Sequence, residues 1–266
     1  MTNLITFTTD FGLRDGFVGV IKGVVLSINP NARFVDITHQ IEPQNIQQGA
    51  FLLANHVSYF PAAAIHVCVV DPGVGSTRRA LAVQVGETTF IGPDNGVLSP
   101  AVQAVQARTQ AQPRAFELNN PRYWLPRVST TFHGRDIFSP CAAHLSLGVP
   151  LAELGTPVAD WITLAPPAPV QRDGLLIGHV VYIDYYGNIV SDITDRDLQA
   201  LGTKTPVIEI GGHHIHGLVQ TYSDVAPSEF AALVGSPWKL EVAQREGNAA
   251  EALDVCVGDE IIVRRA

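Results

Sequence analysis

The sequence predicts an α/β N-terminal domain built on a largely parallel sheet, followed by a smaller all-β, barrel-like C-terminal domain. Three observations carry this. Strand-like and helix-like apolar patterns alternate from Leu4 onward. Residues 65–70 are apolar apart from His66, the mark of a strand covered on both faces. Beyond Leu164 only short apolar runs separated by turn residues remain.

Taken in order, residues 4–8 form an apolar, β-branched run that ends at Thr9-Asp10-Phe11-Gly12, and Phe17, Val20, Ile21, Val24 and Ile28 follow at helical spacing. Asn29-Pro30 stops that helix. Residues 33–37 read as a second strand, Ile46, Ala50, Leu53 and Val57 as a second helix, and residues 65–70 as a third strand ending at Asp71-Pro72-Gly73. The Ala/Gln-rich stretch 101–112 is only mildly biased, and no repeat is present. Ala165-Pro166-Pro167-Ala168-Pro169 marks a boundary, giving an α/β domain at 1–164, a Pro-rich linker at 165–173 and a barrel-like domain at 174–266. In the last, residues 178–183 and 189–193 flank Asp184-Tyr185-Tyr186-Gly187-Asn188, residues 207–210 meet Gly211-Gly212, and Asp259-Glu260 precedes a final strand.

At 266 residues the chain can bury about 70–75% of its unfolded surface. Its 16% charged content falls below the usual level of about 25%, which leaves apolar surface for subunit contacts. A net charge of -8 argues against nucleic acid as a partner. No apolar run reaches 18 residues and no signal-peptide pattern opens the chain, so neither a membrane span nor secretion is expected. Cys68, Cys141 and Cys256 have no paired spacing and read as buried small hydrophobes of a reducing cytoplasm.

Polar residues gather after the strands: Asp10 and Asp15, Asp71 to Arg78, and Asp94-Asn95. Ligands of open α/β sheets bind beyond the carboxyl ends of strands, so the clustering marks where a site belongs. Asp71-Pro72-Gly73 and Asp94-Asn95-Gly96 also fit ordinary turns. Gly73-Val74-Gly75-Ser76-Thr77 lacks the Gly-Lys-Ser/Thr of a phosphate loop. His213, His214 and His216 follow Gly211-Gly212 without a second ligand pair and read as solvated turn histidines rather than a metal centre. His133, within Thr131-Phe132-His133-Gly134-Arg135-Asp136, gains functional meaning only through its partners.

Thr9-Asp10-Phe11-Gly12-Leu13-Arg14-Asp15, the run from Asp71 to Arg79, Gly92-Pro93-Asp94-Asn95-Gly96, Phe132-His133-Gly134-Arg135-Asp136 and Gly187-Asn188 resemble the S-adenosyl-L-methionine hydroxide adenosyltransferase family, relatives of the fluorinase and chlorinase. The resemblance spans essentially the whole chain. It implies hydrolysis of S-adenosyl-L-methionine to adenosine and L-methionine by water or hydroxide attacking C5′. It places catalysis on Asp71, Arg78 and His133, with Asp71 and His133 accepting hydrogen bonds from the water. It puts Asp10 on the ribose, Asp184 on the substrate ammonium, Asn188 on adenine, Tyr186 beside the adenine ring and Ser236 on the methionine carboxylate. Asp15, Phe132 and Glu246 complete the binding candidates. No general acid is expected, because the leaving group is neutral methionine, and the resemblance implies no metal and no cofactor, S-adenosyl-L-methionine being the substrate.

The resemblance further implies a homotrimer with active sites at subunit interfaces, and product adenosine is a candidate for retention. Asp71 and His133 stand where the fluorinase carries tyrosines, Gly134 where it carries a serine, and the stretch 79–92 is too short for its extra loop. Gln44, Pro237 and Gln244-Arg245-Glu246 depart from the family pattern. Two other readings stand beside hydrolysis. One is a halide-dependent adenosyltransferase, and the other a module that binds adenosine or S-adenosyl-L-methionine without turnover.

Overall fold

In the computed structural model, which describes residues 3–165, 167–203 and 205–265, the contacts divide the chain into two units, 1–165 and 166–266. Unit 1 contains β1 (Leu4–Thr9), α1 (Phe17–Ile28), β2 (Arg33–Thr38), α2 (Ile46–His56), β3 (Ile65–Val69), β4 (Ala80–Val85), β5 (Thr88–Pro93), α3 (Ser99–Thr109), β6 (Arg114–Glu117), α4 (Ser139–Ser146) and β7 (Thr156–Val158). The sheet order is β2-β1-β3-β5-β4-β6-β7. Only β2-β1-β3-β5 is parallel, whereas β4 pairs antiparallel with both β5 and β6, and β6 with β7. The sheet is therefore mixed rather than largely parallel. The reason is local: Gly86-Glu87 joins β4 to β5 as a two-residue hairpin, which only antiparallel neighbours allow.

Alternation along the strands builds a core on each face. Ile65, Val67 and Val69 of β3 and Ala80 and Ala82 of β4 pack with Ile21 and Val25 of α1 and with Cys141 and Ala142 of α4. Cys68 and Val70, with Leu81, Val83 and Val85, pack on the other face with Leu53 of α2 and Val102 of α3. This two-sided cover explains the unbroken apolar run at 65–70. Asn45 caps α2 through Gln48 N–H at 2.9 Å, a contact of about 1 kcal/mol. Helix α3 overlaps the stretch 101–112 and buries only a narrow strip that includes Ala101, Val102 and Val105.

Unit 2 contains β8 (Val170–Arg172), β9 (Leu175–Ile183), β10 (Ile189–Thr194), α5 (Asp195–Leu201), β11 (Pro206–Ile210), β12 (His213–His216), β13 (Phe230–Val234), β14 (Lys239–Gln244), α6 (Ala249–Leu253) and β15 (Glu260–Arg265). Strand β8 falls in the stretch read as a linker, of which Pro166 lies outside the described residues. The order β12-β11-β15-β9-β10-β14-β13 is antiparallel throughout, with β8 also pairing with β9. Val219 N–H reaches Ala232 O at 2.9 Å beyond β12, leaving a nearly closed barrel-like sheet around Ile189, Ile208, Leu240 and Ile261. Two short helices, α5 and α6, interrupt the expected all-β pattern.

Two smaller expectations change. Cys68 and Cys141 are buried, and burial pushes both thiols up, but Cys256 is exposed in the turn between α6 and β15. His213, His214 and His216 sit on strand β12, not in its turn, with Ile215 between them facing the core. Among the described residues no group of three His, Cys, Asp or Glu side chains is placed to hold a metal ion. No helix among them is long and apolar enough to cross a membrane.

Candidate functional site

Strands β1 and β3 run side by side with Thr9 opposite Val69, so the residues just beyond them, Asp10 and Asp71, leave the same end of the sheet. Asp10 accepts a hydrogen bond from Gln44 N–H at 2.8 Å, and Gln44 holds a positive φ of 69° to deliver it. After Asp71 the chain folds back on itself: Val74 N–H donates to Asp71 O at 3.2 Å and Ser76 Oγ to Gly73 O at 2.7 Å. That return lays the Arg78 side chain along the Asp71 carboxylate. Arg78 Nε donates at 3.0 and 3.1 Å to the two oxygens of Asp71, and Nη2 donates to Oδ2 at 2.5 Å. Both side chains are nearly enclosed, Asp71 6% and Arg78 10% exposed.

The partner of His133 is the same guanidinium. Arg78 Nη2 lies 2.8 Å from His133 Nδ1. A guanidinium has only donors, so Nδ1 is the lone-pair nitrogen and the neutral ring carries its proton on Nε2. Burial, then the Arg78 charge, holds the His133 imidazole below its usual pKa, with Asp71 and Asp136 opposing, which keeps the ring neutral. The expectation that His133 accepts a hydrogen bond from water therefore changes: Nδ1 is occupied and Nε2–H is a donor.

Two local devices bring His133 to Arg78. Gly75 has φ 79°, and a Cβ there would run into Thr130 O, so only glycine lets the 71–78 loop close on the segment before His133. After His133, residues Gly134–Phe138 form a single π-helical turn that runs into α4. Asp136 in that turn is fully buried, accepts from Ser129 N–H at 2.8 Å and pairs with Arg135 at 2.6 Å. Burial opposes its charge, but the Arg135 and Ser129 hydrogen bonds outweigh that and hold its pKa low. Phe132 packs edge-on against Phe11 and Phe17 at 5.7 and 5.3 Å, forming an aromatic wall at the same place. Asp94 belongs to the scaffold: it is 4% exposed, pairs with Arg79 at 2.6 Å and accepts from Ile162 N–H at 2.7 Å.

In unit 2, Asp184 organises its own turn. Its Oδ1 accepts from the backbone N–H groups of Tyr186 and Asn188 at 2.8 and 2.9 Å, and its Oδ2 from the Asn188 amide at 2.9 Å. Gly187, at φ 82°, leaves space for Asn248 where a Cβ would collide with it. Asp184, Tyr186 and Asn188 share a groove of about 700 Å³ with Tyr222, Gln244 and Glu246. Tyr222 and Asn248 line it without any sequence signal beyond the repeat of Gly-Asn at 187–188 and 247–248. Asp15 is exposed before α1, and Ser236 is exposed on the β13–β14 turn; neither joins the contacts just described. A separate cavity of about 420 Å³ opens at the beginnings of β3, β5 and β6, lined by Ile65, Thr89 and Arg114, and holds none of the expected site residues.

Residues 5–155 match the SAM hydroxide adenosyltransferase N-terminal domain, and residues 178–262 match its C-terminal domain. The chain belongs to the SAM hydroxide adenosyltransferase family. Within this family it is similar to the (R)-S-adenosyl-L-methionine hydrolase of Salinispora tropica, with 41% identity over 98% of each chain. A fluorinase of Actinopolyspora mzabensis is more distant, 28% identical over 75% of this chain and 74% of its own. A solved structure of an uncharacterized conserved protein from Thermotoga maritima matches with a TM-score of 0.90 and 33% identity, covering 98% of this chain and all of that one.

Proposed function

We propose that this member of the family hydrolyses S-adenosyl-L-methionine to adenosine and L-methionine by in-line attack of water at C5′. The observation that carries the reading is the enclosed Asp71–Arg78–His133 contact at the strand ends. Relatives at 31–41% identity over nearly their full length bear the hydrolase name. Only Gly86-Glu87 separates β4 from β5, so the stretch 79–92 carries no added loop.

The chemistry follows from the groups. As the O–C5′ bond forms, the C5′–S bond breaks and its electron pair passes to sulfur, so the sulfonium departs as a neutral thioether and needs no acid. The water must lose a proton, and Asp71 is the acceptor. Arg78 fixes that carboxylate and favours negative charge on the attacking oxygen. His133 Nε2–H donates to the same oxygen and aims it. The aromatic wall of Phe11, Phe17 and Phe132 lowers the local polarity, which raises the energy of the sulfonium relative to the transition state, where its charge is fading.

For binding, Asp10 takes the ribose hydroxyls, Asp184 the ammonium, Asn188 and Tyr186 the adenine, and Ser236 the carboxylate. Asp15, Phe132 and Glu246 complete the contacts. The active assembly is a homotrimer in the cytoplasm. Exposed apolar side chains of unit 1 support the assembly, namely Leu13, Phe17, Val20 and Leu26 on and before α1, and Val35 on β2. No cofactor is needed, and adenosine is retained after turnover.

Incubation with S-adenosyl-L-methionine in ¹⁸O-water, with and without chloride, tests this by mass spectrometry of the nucleoside. Labelled adenosine with equimolar methionine is expected. A 5′-chloro nucleoside shows halide transfer instead, and unaltered bound ligand shows a binding module.

A further inference from the structure

Behind Tyr222, which lines the unit 2 groove, sits a carboxylate that none of these roles uses. Glu241 on β14 is 5% exposed and is covered by Gly235, where a Cβ would strike its Oε2. Tyr222 donates its phenolic O–H to Glu241 Oε1 at 2.5 Å. Burial raises the Glu241 carboxyl, the Tyr222 bond opposes that, and the charge of Asp184 adds to it. Burial, the Glu241 bond and Asp184 push the Tyr222 phenol upward, so its proton stays on the bond to Glu241.

Tyr222 is held in that pose from its own segment. Asp224 Oδ2 accepts from the N–H groups of Gln220 and Thr221, each at 3.0 Å, and Arg245 Nη1 reaches Val225 O at 2.7 Å. The guanidinium is thus engaged by the turn and by Glu246 at 3.5 Å, so that among the groove's charged side chains the carboxylates of Asp184 and Glu246 outnumber it.

A hydroxyl is one donor and two acceptor lone pairs. With its proton committed to Glu241, Tyr222 offers the groove lone pairs only. Asp184 already receives three N–H bonds from its own turn, which leaves about one of its roughly four acceptor positions open. An ammonium group carries three N–H donors, more than Asp184 alone can take.

We propose that Tyr222, oriented by Glu241, is a second acceptor for the primary ammonium of the substrate, and so selects aminated over deaminated sulfonium nucleosides. The inference rests on the hydrolase reading and deepens it. Tyr222 is a binding residue, and Glu241 positions it.

The experiment compares S-adenosyl-L-methionine with the corresponding sulfonium that lacks the amino group, on wild type, Tyr222→Phe and Glu241→Gln. Tyr222→Phe raises KM for the aminated substrate about tenfold, as loss of a hydrogen bond to a charged group does, with kcat changed less than about twofold. Its KM for the deaminated sulfonium and its Kd for adenosine stay at the wild-type values. Glu241→Gln fills the same space but can donate to the phenol and turn its O–H into the groove. It raises KM for the aminated substrate alone.

Equal weakening of both sulfoniums by Tyr222→Phe, which is what a merely structural role gives, overturns the proposal, and so does no weakening at all. If Tyr222→Phe fails to fold, Glu241→Gln decides by the same comparison. Wild-type turnover in the same assay tests the underlying reading separately. Without turnover, binding of L-methionine against its deaminated analogue decides between presence and absence of the ammonium contact.

Discussion

The Asp71–Arg78 contact allows a quantitative test through a double-mutant cycle. Arg78→Ala removes the Nε–H and Nη2–H donors that make three hydrogen bonds to Asp71 and leaves a carboxylate 6% exposed with its charge uncompensated. Breaking an enclosed pair from one side costs about 3–5 kcal/mol. For a unit of this size about 3 kcal/mol lowers Tm by roughly 6–12 °C. Asp71→Ala leaves the guanidinium with only His133 Nδ1 and, at 3.4 Å, Arg79 O, and costs about 3 kcal/mol by the same argument. With both removed, neither charge is stranded, so the double variant loses less than the sum, and the coupling energy is about 2 kcal/mol or more. Thermal and urea unfolding followed by circular dichroism measure all four corners. Single losses that add to within about 0.5 kcal/mol would show that the two side chains are energetically independent and would refute the reasoning.

Other consequences are testable in the same way. Gly75→Ala forces a Cβ into Thr130 O at φ 79°, so a loss of about 2 kcal/mol or more is expected together with loss of turnover; wild-type activity would mean that this loop contact does not hold the site. His133 is neutral in the fold and its pKa is lowered, so the acid limb of kcat/KM falls below the usual imidazole value of about 6.5, and Arg78→Gln moves that limb upward; a pH-rate profile measures both. His66 is fully buried, and burial pushes its pKa down to about 4. Its folded value lies below the unfolded one, so its contribution is intact above about pH 6.5 and is lost as pH falls toward 4, by about 3 kcal/mol in all. In His66→Phe, urea midpoints taken across that window decline less steeply than in the wild type.

What the sequence makes legible follows from what each pattern encodes. The alternation of β1, α1, β2, α2 and β3 is visible because each strand and helix buries a face of its own period, and residues 65–70 read correctly because both sides of β3 are covered. Helix α3 escapes because Ala101, Val102 and Val105 are too few apolar positions among Gln and Arg to mark a stripe. The direction of β4 escapes because strand polarity is set by a two-residue connection, not by side-chain period. At the site, the clustering of Asp10 and Asp71 beyond strand ends is legible. The meeting of Arg78 with His133 spans 55 residues and rests on Gly75 and Thr130, which no local spacing announces. The proton on His133 Nε2 needs the geometry of its partner as well as the residue type.

The π-helical turn at Gly134–Phe138 places a constraint of a different kind on this chain. Such a turn carries one residue more than an α-helical turn, and each residue of a helix advances the backbone by about 100°. Deleting a single residue there lets the segment relax into α4 as an ordinary helix, and His133 swings by that angle away from Arg78. A substitution in the same stretch leaves the angle alone. The angle of His133 thus depends on the chain length between His133 and Ser139, and insertions or deletions in this segment cut off the imidazole even when every other residue of the site is kept.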